Sequence, residues 1–116
     1  MPHLILECSD NVASAVDFNP LFKTLHQLLA DKLPTQITSC KSRIAVYDKY
    51  FIGNDFDNGS FVHLTIKILP GRTNELKSKL AQQILDILSA IICRCNFSKT
   101  AMSVEILDLS SQYFKK

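Results

Sequence analysis

Apolar residues recur at spacings of three and four in two segments of the chain, which is the spacing of one face of an α-helix. Asn19 and Pro20 suit the N-cap and first turn of the first helix, and Thr73 suits the N-cap of the second, followed by Glu75 in its first turn. The pattern therefore predicts two amphipathic helices. The first covers 19–33, with apolar positions Phe18, Leu21, Phe22, Leu25, Leu28 and Leu29, and the second covers 73–92, with Leu76, Leu80, Ile84, Ile87, Leu88 and Ile91.

Four other segments are enriched in β-branched and aromatic residues and alternate, at least in part, between apolar and polar positions. They cover 3–8, 42–50, 61–68 and 102–109. In 61–68 the alternation is cleanest, with Val62, Leu64, Ile66 and Ile68 on one face. Between the second and third segments, residues 53–60 are rich in Gly, Asn and Asp, which predicts a turn or a wider loop.

The predicted elements follow each other as strand, helix, strand, and then again as strand, helix, strand. This order indicates two consecutive βαβ units, in halves of about 1–50 and 60–110, within a single domain over 1–116. Strands joined through a helix pair in parallel. The sequence therefore predicts an α+β fold: a four-stranded mixed sheet with both helices on one face.

Such a layer leaves the second face of the sheet uncovered. Ile5 and Phe61 fall on that face by alternation. Burial against further copies of the chain is the simplest way to cover it, so an oligomer is expected.

Composition is that of an ordinary globular protein, with 47% hydrophobic and 21% charged residues. The formal net charge is only +2 and the basic residues are dispersed, which argues against nucleic-acid binding. No apolar run approaches the roughly 20 residues of a membrane span. Because the chain begins without a basic, apolar leader, a cytoplasmic location is expected.

The four cysteines are Cys8, Cys40, Cys93 and Cys95. The last two are separated by one residue, whereas zinc ligands are usually separated by two to four. A metal site is therefore not expected, and the sequence favours free, buried or half-buried thiols.

The chain begins Met-Pro, directly before the first predicted strand. A proline at the start of a strand has an ordinary structural explanation, because sheets tolerate proline there. Alternatively, removal of Met1 would leave Pro2 as a free secondary amine, able to accept and return a proton. The residues themselves leave both interpretations open.

Several segments together resemble the tautomerase superfamily and, within it, the 5-carboxymethyl-2-hydroxymuconate Δ-isomerase family. They are "MPHLILECSDN" at the start, "SR" at 42–43, "FVHLTIKI" at 61–68 and "GR" at 71–72. The resemblance implies a cofactor-independent isomerase that converts 5-carboxymethyl-2-hydroxymuconate, an unsaturated polycarboxylate, to its 2-oxo isomer. It further implies a homotrimer and catalysis by the Pro2 amine after loss of Met1.

The resemblance also implies that arginines hold the substrate carboxylates. Arg72 matches one of them, but Lys41 stands where the family has the other. Lysine cannot form the two-pronged contact of arginine with a carboxylate. Either Lys41 binds more loosely, or Arg43 takes its place, or the preferred substrate differs. Two alternatives therefore stay open: a tautomerase of another keto–enol acid, and a non-catalytic oligomeric binding protein with the same fold.

Overall fold

A computed structural model describes residues 1–54, 59–95 and 99–116. These residues form four strands and three α-helices. In chain order they are β1 (His3–Ser9), α1 (Asp10–Ala15), α2 (Asn19–Lys32), β2 (Lys41–Tyr47), β3 (Phe61–Ile68), α3 (Asn74–Arg94) and β4 (Ala101–Asp108), with a short 3₁₀ turn (Ile37–Ser39) before β2.

The strands form one mixed sheet in the order β2-β1-β3-β4. β1 pairs with β2 in parallel, β3 pairs with β4 in parallel, and the central pair β1–β3 is antiparallel. Each half is thus a βαβ unit, and the two halves meet along the central pair. The predicted fold class is confirmed. Residues 55–58, the centre of the predicted turn, lie outside the described residues.

Both long helices cover the same face of the sheet, because their apolar stripes point into one core. Even-numbered residues of β1 and β3 form the floor of that core, and every fourth residue of the helices packs on it. The members that are fully shielded from solvent include Leu4, Leu6, Leu21, Leu25, Leu29, Leu64, Ile66, Ile84, Leu88 and Ile92. Alternation in the strands and a stripe along each helix therefore build the core together.

The first residues of the two long helices differ in how they are capped. The Thr73 side chain accepts a hydrogen bond of 3.1 Å from the amide of Leu76, as predicted for an N-cap. The prediction for Asn19 is wrong: Asn19 is already helical and Phe18 holds the N-cap position. The amide of Asn19 donates to a carboxylate oxygen of Asp17 at 3.0 Å, so the capping carboxylate comes from two residues upstream.

The other sheet face is not covered by any helix of the described chain. Ile5 and Phe61 lie half-buried on it, as predicted. Polar pairs surround them: the Tyr47 hydroxyl donates to Glu7 at 2.8 Å, and the His63 ring lies 2.6 Å from the Ser103 hydroxyl and 3.2 Å from Glu105. This surface, called the open face below, is therefore mixed in polarity.

All four cysteines are free thiols. Cys8 and Cys40 are buried and Cys95 is partly buried, whereas Cys93 is exposed near the end of α3. The expectation of shielded thiols thus fails at Cys93, because this position lies outside the stripe that packs on the core.

Candidate active site

The chain begins at the middle of the sheet. Pro2 is buried directly before β1, which lies between β2 and β3. The amide of Lys41 donates a hydrogen bond of 3.0 Å to the Pro2 carbonyl, which extends the parallel ladder by one residue. The Met1 amine lies 3.4 Å from the Thr35 hydroxyl, in the segment that follows α2. The terminus is therefore held between two segments of the first half.

The charges around this terminus are predominantly positive. Partial burial lowers the pKa of the Met1 amine, and the charges of Lys115, Arg72 and Lys41 lower it further, while the Cys40 thiol acts in the opposite direction. Removal of Met1 would transfer the amine to Pro2, one residue along the same path. An amine in such an environment stays unprotonated to a lower pH than an ordinary terminal amine, and the positive charges attract anions.

Arg72 is fixed by two backbone carbonyls. Its guanidinium donates to Leu69 at 3.0 Å and to Leu33 at 2.8 Å, and so ties the turn after β3 to the end of α2. Gly71, immediately before it, has a φ of +115°, a conformation that glycine adopts without strain. A guanidinium has five N–H donors, so donors remain available for a carboxylate.

Lys41 and Arg43 lie on β2 but have different surroundings. The Lys41 ammonium is exposed and donates to the Ser39 carbonyl at 3.4 Å. The Arg43 guanidinium instead contacts Nδ1 of His3 at 3.3 Å on the open face. The structure therefore brings Pro2, Lys41 and Arg72 together at the terminus, and Arg43 joins them only through His3.

His3 is held from two sides. A guanidinium can only donate, so Nδ1 of His3 accepts from Arg43. The other ring nitrogen, Nε2, lies 2.9 Å from the Tyr113 hydroxyl, and the two rings meet edge to face with centroids 5.8 Å apart. Partial burial lowers the pKa of His3, and the charges of Arg43 and Lys41 act in the same direction. With Nδ1 as the acceptor, the proton of the neutral ring lies on Nε2, which donates to the Tyr113 hydroxyl.

The sequence interpretation missed Thr35, Cys40, Tyr113 and Lys115, which also lie around the terminus. Topology could have indicated the last two. β3 runs antiparallel to β1, and β4 runs parallel to β3. The C-terminal end of β4 therefore lies at the same end of the sheet as the start of β1. Thr35 and Cys40 lie in irregular segments beside β2, where periodicity carries no signal.

Surface concavities occur on the helical side of the molecule. One of about 600 Å³ lies between α2 and α3, with Leu28, Ile37 and Ile87 among its lining residues. A smaller one of about 270 Å³ lies beside Asn74 and Lys77. Neither includes Pro2, so the candidate site lies apart from both of these concavities.

Within the described ranges, no group of three His, Cys, Asp or Glu side chains is arranged to hold a metal ion. The same part of the chain contains no helix long and apolar enough to cross a membrane.

Comparison with known proteins gives a consistent result. The sequence profile of the family described as 5-carboxymethyl-2-hydroxymuconate isomerase matches residues 2–116. A curated relative, 5-carboxymethyl-2-hydroxymuconate Δ-isomerase of Escherichia coli, is 28% identical over 110 residues, which cover 94% of this chain and 87% of that protein.

Solved structures agree with the sequence match. The crystal structure of a 5-carboxymethyl-2-hydroxymuconate isomerase from Deinococcus radiodurans R1 superposes with a TM-score of 0.85 and 26% identity, over 99% of this chain and 88% of that one. A fused 4-OT described as a symmetric trimer has the same fold, with a TM-score of 0.68 and 16% identity over 98% of this chain and 90% of its own.

Proposed function

The chain belongs to the 5-carboxymethyl-2-hydroxymuconate isomerase family, and from this premise we propose that it converts 5-carboxymethyl-2-hydroxymuconate to its 2-oxo isomer. The observation that carries the proposal is the buried Pro2, directly after a terminal amine whose pKa is lowered by burial and by the charges of Lys115, Arg72 and Lys41. We propose that Pro2, freed by removal of Met1, is the catalytic base and acid. Arg72 and Lys41 are the proposed carboxylate-binding residues, and Arg43 contributes through His3.

The proposed chemistry needs a single group that moves a proton. The neutral Pro2 nitrogen takes the proton from the 2-hydroxyl group, and the same nitrogen returns it to a carbon of the diene, so the double bonds shift and the 2-oxo group forms. Atoms and charge balance within the substrate. An amine with a lowered pKa suits both steps at neutral pH. Nearby guanidinium and ammonium groups stabilise the negative charge that develops on the substrate oxygen.

Rigidity supports the assignment of Pro2. The pyrrolidine ring fixes the nitrogen relative to its own Cα, and the hydrogen bond from Lys41 fixes the Pro2 carbonyl. Burial between β2 and the end of α2 restricts it further. A base that is held in one position loses little entropy when it meets the substrate.

We also infer that the protein is a homotrimer that covers the open face. The support is the absence of any helix on that face of the described chain and the shared fold with a fused 4-OT described as a symmetric trimer. The cytoplasmic location expected from the sequence stays a prediction.

The direct test of activity is steady-state kinetics on 5-carboxymethyl-2-hydroxymuconate, 2-hydroxymuconate and phenylenolpyruvate. Loss of dienol absorbance reports turnover in each case. We expect the highest kcat/KM on the carboxymethyl compound. Preference for one of the other two would assign a tautomerase of another keto–enol acid, the alternative that the exposed Lys41 favours.

The mechanism is tested separately on the same protein. Intact mass spectrometry should show loss of Met1, because a retained methionine converts the proline nitrogen to an amide that cannot accept the proton. Pro2→Ala should lower kcat on every active substrate. An enzyme with a free proline amine that is inactive on all three enols would leave only a binding function.

A further inference from the structure

The C-terminal segment, Leu109–Lys116, runs back towards the start of the chain. The amide of Leu109 donates to the Ile68 carbonyl at 2.7 Å, which extends the pairing of β4 with β3. A turn follows, in which the amides of Gln112 and Tyr113 donate to the side chain and the carbonyl of Ser110 at 3.1 and 3.0 Å. This turn directs the last residues to the end of the sheet at which β1 begins.

Tyr113 anchors the segment there. Its hydroxyl accepts the Nε2–H of His3, the residue directly after Pro2, at 2.9 Å. The Tyr113 side chain is half-buried, whereas the neighbouring Phe114 is 86% exposed. Tyr113 therefore packs on the protein and contacts His3, whereas Phe114 points into solvent.

Lys115 follows Tyr113 by two residues, and the contact of Tyr113 with His3 brings this part of the chain to the N-terminus. After burial, its positive charge is the first cause of the lowered pKa of the terminal amine, ahead of Arg72 and Lys41. Its own side chain is exposed. A cation that is close to the amine and open to solvent is available to an incoming anion.

We propose that the C-terminal segment forms one wall of the amine site, with Lys115 as a further substrate-binding cation and Tyr113 as the residue that positions it through His3. This inference rests on the proposed function and deepens it. 5-Carboxymethyl-2-hydroxymuconate carries three carboxylates. Arg72 and Lys41 account for two of them, and Lys115 supplies the third positive partner from the opposite end of the chain.

The test compares Lys115→Gln with Lys116→Gln, which removes the same charge one residue further along. With Lys115→Gln, KM for the tricarboxylate should rise roughly tenfold, the value of a hydrogen bond to a charged group. KM for phenylenolpyruvate, which has one carboxylate, should rise much less than KM for the tricarboxylate, and the two variants should be compared at a pH well above the pKa of the amine, where the lost charge does not alter its protonation. Lys115→Arg should restore the wild-type KM, and Lys116→Gln should behave as wild type.

Tyr113→Phe tests the positioning role. It keeps the ring and removes only the oxygen that accepts from His3, so KM for the tricarboxylate should rise with little change in unfolding free energy. The double variant Tyr113→Phe/Lys115→Gln should be no worse than Lys115→Gln alone, because both changes remove the same contact. Additive increases in KM would overturn the positioning role.

An independent readout separates this inference from the proposed function. The pKa of the N-terminal amine can be measured by NMR or from the pH dependence of its acylation, without any substrate. Lys115→Gln should raise that pKa and Lys116→Gln should not, because the charge of Lys115 lowers the pKa of the amine, as do those of Arg72 and Lys41, whereas Cys40 acts in the opposite direction.

If the wild type is inactive on every enol, the proposed function fails, and the amine titration alone then decides whether Lys115 lies at the site. If the wild type is active but Lys115→Gln changes neither KM nor the amine pKa, the C-terminal segment is not part of the amine site, and the proposed function stands.

Discussion

The amide nitrogen of Lys41 lies 3.0 Å from the carbonyl oxygen of Pro2, so the first residue of β2 holds the residue that directly precedes β1. This contact places the backbone of an exposed lysine next to the buried proline, although Lys41 and Pro2 are 39 positions apart in the sequence. The predictions below follow from that arrangement and from the groups around it.

An N-terminal extension that keeps the Pro2 nitrogen as an amide should abolish proton transfer. General acid–base catalysis contributes about 10²–10⁴-fold to a rate, so kcat should fall by that order. A protease site placed directly before Pro2 provides the control, because cleavage should restore kcat on the same preparation. Full activity of the uncleaved protein would exclude the amine as the catalytic group.

Arg72→Lys should weaken both the fold and the site. Lysine keeps the charge but cannot bridge the Leu33 and Leu69 carbonyls as the guanidinium does. We expect a loss of roughly 1–3 kcal/mol in unfolding free energy and an increase in KM for polycarboxylates. Urea denaturation and steady-state kinetics measure the two effects. Arg94→Lys, at the exposed end of α3, is the matched control and should leave KM unchanged.

Lys41→Arg should improve the use of polycarboxylates. The exposed Lys41 ammonium makes a long contact to the Ser39 carbonyl, at 3.4 Å, whereas a guanidinium at this position could form two parallel hydrogen bonds to a carboxylate. We expect kcat/KM for the tricarboxylate to rise about fivefold, equivalent to about 1 kcal/mol. Lys49→Arg is the control for charge and size. A decrease in kcat/KM would mean that the site uses lysine as a point charge.

Stability should fall as the pH is lowered through the range just below the ordinary histidine pKa of 6.5. Burial, assisted at His3 by Arg43, lowers the pKa of His3, and burial lowers the pKa of His26, so the folded state binds fewer protons than the unfolded state there. The unfolding free energy then decreases with decreasing pH. His3→Gln should flatten this dependence in urea denaturation between about pH 7 and pH 5. A stability that increases towards acid would contradict the assignment.

Ile5→Lys should dissociate the proposed trimer. Ile5 lies at the centre of the open face, opposite Thr65 on one side and Arg43 on the other. In a trimer, the lysines introduced in the three copies would repel one another across the interface. Light scattering should give three times 13.1 kDa for the wild type and a monomer of 13.1 kDa for the variant. Gln82→Lys, exposed on the outer side of α3, should remain trimeric, and a monomeric wild type would reject the proposal.

The core of the fold could be predicted from the sequence because periodicity reports which face is buried. The alternation of Val62, Leu64 and Ile66 and the stripe from Leu80 to Leu88 both recur in the structure as buried residues. α1 was not predicted, since six residues, of which only Val12 is buried, give no stripe. The predicted cap of α2 is wrong because Asn19 lies inside the helix, where its backbone amide donates to a carboxylate oxygen of Asp17.

The site was less predictable than the fold. Pro2, Lys41 and Arg72 were selected by resemblance to a family, and local pattern alone would have treated each as an ordinary surface or strand-start residue. Tyr113 and Lys115 lie in a segment without periodicity. Their position follows from the path of the chain after β4, which depends on long-range strand pairing that a local pattern cannot report.

The two halves of the sheet repeat the same contact at both ends. The amide of Ala101 donates to the Ser60 carbonyl at 3.0 Å, in the same way that Lys41 donates to Pro2. Cys40 and Thr100, the residues before the two donors, are both buried. Ser60 thus occupies in the second half the place that Pro2 occupies in the first. Its nitrogen is bound to Gly59 as an ordinary amide, so the proposed removal of Met1 would free a terminal amine at one of two equivalent ends of the sheet. In the proposed mechanism, repeating the architecture within one chain therefore doubles the scaffold without doubling the number of reaction centres.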